Sequence, residues 1–126
     1  MDALLKIDSV MFFVADLEKT AEFYMNVLGL RRVWIDKNRG MIGFVFPEGD
    51  SEIVIHNNSS LPNPSFSFLV KNVQTFCDEY REKGYTVVRE PFEVRCGKFA
   101  VIADPDGNEL PIIDLTKFGG KPRYDE

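Results

Sequence analysis

The sequence predicts an α+β fold built from two βαβββ repeats. The strand and helix patterns run through the same order twice, and the helix caps, helix stops and strand starts of the two halves match at an offset of 55–57 residues. Ser9 matches Ser65, Asp16 matches Asn72, Gly29 matches Gly84 and Glu52 matches Glu109. A repeat of this length implies two units that each cover part of a core.

Residues 7–14, IDSVMFFV, are rich in β-formers and read as the first strand. Asp16 is an N-cap candidate for a helix in which Leu17, Ala21, Tyr24, Val27 and Leu28 recur at helical spacing and are expected on one buried face. Gly29 is the expected stop. Strands are expected at Leu30 to Ile35, Met41 to Phe46 and Glu52 to His56, separated by the turns 37–40 and 47–50. After a connector at 59–64 the order restarts with a strand over Ser65 to Val70. Asn72 caps a second helix, on which Val73, Phe76, Cys77 and Tyr80 share a face and which Gly84 closes. The remaining strands are expected at Tyr85 to Arg89, Lys98 to Ala103 and Glu109 to Asp114, with Asp104-Pro105-Asp106-Gly107 as a strong turn between the last two. Cys96 reads as strand-like. Residues 116–126 read as a loose tail or an arm that docks elsewhere. The whole is read as a single domain over 1–126, with repeat one at about 7–58 and repeat two at about 65–115.

Composition limits the chemistry. A single histidine and two cysteines in 126 residues argue against an imidazole- or thiolate-rich metal centre. The formal charge of −5 argues against nucleic acid as a partner. No apolar run approaches the roughly 20 residues of a membrane span, and no signal-peptide pattern stands at the N-terminus. The expected compartment is cytoplasmic, with both thiols reduced.

Two segments carry a family resemblance. IDSVMFFVADLEKTAEFYMNVLGL at 7–30 pairs an opening strand with a capped helix, a Phe-Tyr pair and a Leu-Gly stop. FAVIADPDGNELPIIDL at 99–115 is a closing Asp-Pro-Asp-Gly-Asn hairpin. Together they resemble the vicinal oxygen chelate superfamily of glyoxalases, bleomycin resistance proteins and extradiol dioxygenases, over nearly the whole chain. The resemblance implies a curved mixed sheet forming a cup, helices on its convex face, and a homodimer that encloses a small molecule. It also implies up to four metal ligands, usually His, Glu or Gln, on the first and last strands of each unit. Those positions fall here on Ser9, Val54, Ser65 and Pro111. Val and Pro side chains offer no donor and a hydroxyl is a weak one, so no metal and no cofactor are expected.

Strand alternation extends the expected pocket from Ser9 to Met11 and Phe13, and from Ser65 to Ser67. Val54, His56 and Pro111 join it from the last strands, with Trp34 and Phe44 as further aromatic candidates. His56, Glu52 and Glu109 are the weak catalytic candidates. As a base His56 needs a partner and a substrate within reach. The plainer reading is a partly solvated histidine at a strand end, with Glu52 and Glu109 solvated at strand starts. Arg95 and Lys98 beside Gly97 are read as a solvated hairpin tip. The favoured function is a metal-free small-molecule binder, a reading that leans away from catalysis and leaves it open. The rivals are a lyase, isomerase or dioxygenase using an offset metal or acid–base site around His56 and Glu109, and an accessory domain with an empty cup.

Overall fold

The structure is a computed structural model and describes residues 1–124; the last two positions of the expected tail, 125–126, lie outside the described residues. The elements run β1 (Lys6–Phe13), α1 (Leu17–Asn26), β2 (Arg31–Asp36), β3 (Met41–Val45), β4 (Glu52–His56), β5 (Ser65–Leu69), α2 (Val73–Glu82), β6 (Val87–Glu93), β7 (Lys98–Ala103) and β8 (Glu109–Ile113), followed by a 3-10 turn over Thr116–Phe118. The fold is α+β with mixed strand pairing, and the βαβββ order occurs twice. Contacts divide it into two compact units. One comprises residues 9–66 with Arg123 and Tyr124, the other residues 1–8 and 67–122.

In the first unit the strands lie in the order β2-β3-β4-β1, with β1 parallel to β4 and the other pairs antiparallel. Helix α1 starts where Asp16 accepts the Lys19 backbone N–H at 3.1 Å, and it packs Ala21, Leu17, Tyr24 and Met25 onto Ile42, Phe44 and Ile55. Tyr24 stacks on Phe44 with ring centroids 5.6 Å apart. The helix is shorter than its apolar pattern suggests. It ends at Asn26, Gly29 follows with φ 75°, and Val27 and Leu28 are exposed instead of buried. The stop signal outweighs the periodicity because Gly29 takes the left-handed conformation that ends a helix.

In the second unit the order is β5-β8-β7-β6. Helix α2 is capped by Asn72, which accepts the Thr75 N–H at 2.9 Å, and it buries the expected face of Val73, Phe76, Cys77 and Tyr80 against Ala100, Ile102 and Ile112. The Tyr80 hydroxyl donates to the Ala103 carbonyl at 2.5 Å. Strand β6 runs to Glu93, four residues beyond its expected end at Arg89, and register shifts at Arg89 and Phe92 carry it past Pro91. Cys96 lies in the β6–β7 turn, not in a strand. Within this unit the Leu5 backbone N–H donates to the Leu69 carbonyl at 2.8 Å, so the N-terminal residues pack with the second half of the sequence.

Candidate functional site

In the first unit the strand face turned away from α1 carries the candidate residues in rows. Backbone register places Met11 beside Val54 and Val54 beside Gly43, which is in turn beside Trp34. A second row runs Phe13, His56, Met41. A third puts Ser9 beside Glu52 and Glu52 beside Val45. Val33, Trp34, Val45 and Val54 form a buried cluster that Met11, Met41 and Tyr124 pack against. A bulge between Arg32 and Trp34 lets two successive residues, Val33 and Trp34, join the same cluster.

Trp34 lies against Gly43, where any Cβ would overlap its indole ring, and its Nε1 donates to Glu52 Oε1 at 2.6 Å. Glu52 is therefore a half-buried acceptor for the indole and not the solvated strand-start residue that its place after a turn suggests. Phe44 corrects another expectation. Gly43 and Val45 point away from α1, so Phe44 between them faces the helix, fully buried in the core.

His56 is also not the partly solvated strand-end residue expected. It is 0% exposed, and its ring meets Phe13 in an edge arrangement at 6.2 Å. Its Nδ1 accepts the Asn58 backbone N–H at 3.1 Å, while its Nε2 is buried without a partner among the described residues. Burial lowers its pKa from 6.5. Because the unfolded residue takes up a proton first as pH falls, stability should be flat above pH of about 6.5 and decline below it. Urea titrations at pH 7.5 and pH 5.5 check this: the loss at the lower pH should shrink in His56→Gln.

On the second unit's face away from α2, β8 presents Pro111 and Ile113 beside Val101 and Phe99 of β7. Ser67 is buried on β5, and Glu109 is exposed beside Ala103. Ser65, grouped with the first unit, has a buried Oγ with no partner among the described residues. Among the described residues the His56 ring therefore bonds to no carboxylate, and the carboxylate of Glu52 is taken by the Trp34 indole. Burial pushes the Cys77 thiol up to about 11 and the Cys96 thiol up to about 12, which removes both as nucleophiles at neutral pH.

Two features escaped the sequence. Tyr124 of the tail packs on the Trp34–Val54 cluster, and beside it a groove of about 400 Å³ runs between Gly29, Val45, Phe46 and Pro47. In the second unit the hairpin tip is held by a buried carboxylate. Asp114, 1% exposed, accepts the backbone N–H of Val73 at 2.7 Å and of Lys98 at 3.0 Å, and the Thr116 hydroxyl at 2.7 Å. Gly97 leaves the space that Asp114 fills. No motif announces such a residue, since its partners lie 41 and 16 positions away.

Residues 6–112 match the Glyoxalase/Bleomycin resistance protein/Dioxygenase superfamily. The chain belongs to this superfamily. A probable lactoylglutathione lyase of Synechocystis is 32% identical, the alignment covering 84% of this chain and 92% of the relative. The lactoylglutathione lyase of Salmonella typhimurium is 27% identical, with 86% and 92% covered. The crystal structure of methylmalonyl-CoA epimerase from Mycobacterium tuberculosis superposes with a TM-score of 0.63 at 20% identity, covering 89% of each chain, which speaks for the fold alone. At the superfamily's ligand positions Val54 is 4% exposed in an apolar cluster and Pro111 sits beside Val101. Among the described residues no group of three or more His, Cys, Asp or Glu could hold a metal ion. This donor set does not fit a divalent cation. No helix among the described residues is long and apolar enough to cross a membrane.

Proposed function

We propose that this superfamily member binds a small organic molecule on the sheet face away from α1, without a divalent metal, as a cytoplasmic homodimer. One observation carries the reading: Val54, at a ligand position, is buried among Val33, Trp34 and Val45, and its own side chain has no oxygen or nitrogen to replace a cation's water. The apolar floor with a few polar groups suits a small-molecule site. The homodimer rests on the resemblance.

The test is elemental analysis of purified protein together with thermal melts with and without a chelator. Substoichiometric metal and an unchanged midpoint are expected. One bound divalent ion per chain, with an activity lost on chelation, would sink the proposal.

A second reading, a superfamily enzyme of the lyase type, is favoured by the relatives named lactoylglutathione lyase and by the orphaned His56 Nε2. It requires turnover of lactoylglutathione or a related thioester that is lost in His56→Ala.

A further inference from the structure

The hydrogen bonding of His56 fixes where its proton sits. A ring nitrogen that accepts an N–H carries no proton of its own, so the bond from Asn58 to Nδ1 puts the proton of the neutral ring on Nε2. That N–H is buried and unsatisfied. A buried donor without an acceptor is costly, and native folds keep few of them. Ser65 Oγ is the other buried side-chain polar atom without a partner among the described residues. Both groups can donate a hydrogen bond.

Resting on the binding reading above, we infer that His56 Nε2–H is the hydrogen-bond donor of the site and selects small molecules by an oxygen acceptor, a carbonyl or carboxylate, carried on an apolar body. The neighbours fit such a body. Phe13 meets the imidazole edge, and Met41 lies opposite it on β3. Phe13 is 37% exposed, so this apolar edge of the imidazole site reaches the surface. The same tautomer excludes two other roles. Coordination of a metal at Nε2 would move the proton to Nδ1, where it would face the Asn58 N–H head-on. A general base at Nε2 would need that same rearrangement.

Because the chain has one histidine, 15N-histidine labelling gives a single imidazole whose nitrogens report the proton directly by NMR. At pH 7.5 the proton is expected on Nε2, and one equivalent of Zn²⁺ should move neither nitrogen. Phenylacetate and acetophenone present the same ring with an anionic and a neutral acceptor; at least one should shift the Nε2–H resonance, and their difference shows which acceptor is preferred. Phenethylamine, the same ring with a cationic donor, should not shift it. His56→Phe should weaken binding of the active probe by about tenfold, the value of one hydrogen bond, while His56→Gln, which keeps a donor, should hold within about threefold. The labelled wild-type protein reads the tautomer even if a variant fails to fold. A proton on Nδ1, a Zn²⁺-induced shift, or equal response to phenethylamine overturns the inference. If other small molecules raise the melting midpoint while neither acceptor probe moves Nε2–H, the inference falls and the binding reading stands. If no small molecule raises it, both fall.

Discussion

Asp114→Ala should destabilise the protein by about 4 kcal/mol, lowering the melting midpoint by roughly 12–15 °C. The carboxylate accepts backbone N–H groups of Val73 and Lys98 and both the backbone N–H and the hydroxyl of Thr116. It therefore joins the N-terminus of α2, the start of β7 and the turn after β8 from one buried point. Alanine leaves these donors without their buried acceptor. Asp114→Asn should cost less, about 2 kcal/mol, because one oxygen still accepts while the amide opposes a backbone N–H. Thermal denaturation followed by circular dichroism separates the two. A loss below about 1 kcal/mol for Asp114→Ala would mean that water takes over the carboxylate's bonds.

Gly43→Ala should cost about 2–3 kcal/mol and should remove the indole–carboxylate bond at the candidate site. The new methyl would overlap Trp34 at Cε2 and Nε1, and the ring cannot yield without separating Nε1 from Glu52. Much of that cost should disappear in a Trp34→Phe background, where there is no indole to displace. The double-mutant cycle therefore isolates the contact, with an interaction energy of about 1–2 kcal/mol. Tryptophan fluorescence supplies a second readout, because Trp34 is the only tryptophan in the chain. An additive cycle would show that the glycine answers to a different neighbour.

Local chemistry was readable without coordinates. Asp16 and Asn72 cap the helices they were expected to cap. The buried face of α2 follows its 3.6-residue period, and Gly29 and Gly84 take positive φ at the helix ends. All of these depend on residues within a few positions of one another, so the sequence contains both partners. The errors share an opposite cause. Val27 and Leu28 continue a helical pattern past the point where Gly29 ends it. The aromatic character of Phe44 says nothing about strand parity, whereas Gly43 and Val45 on either side fix its side chain on the α1 face.

The candidate site was legible in outline only. Met11, Trp34 and Val54 do meet, but the bulge that brings Val33 in beside Trp34 depends on the pairing of β2 with β3. The tie between Trp34 and Glu52 spans 18 positions and requires the space left by Gly43. Nothing local to His56 indicates that its ring is buried, and its tautomer follows from the position of one backbone N–H.

The sequence by itself determined the α+β class, the doubled βαβββ order, the superfamily and the absence of donor atoms at Val54 and Pro111. Each follows from residue types, their spacing or matching motifs. Only the tertiary structure decided that Asp114 anchors α2, that Trp34 covers Gly43, and that the His56 ring is fully buried. These properties depend on which distant groups share a buried space, where each unmatched hydrogen bond is costly and strand register decides which atoms meet.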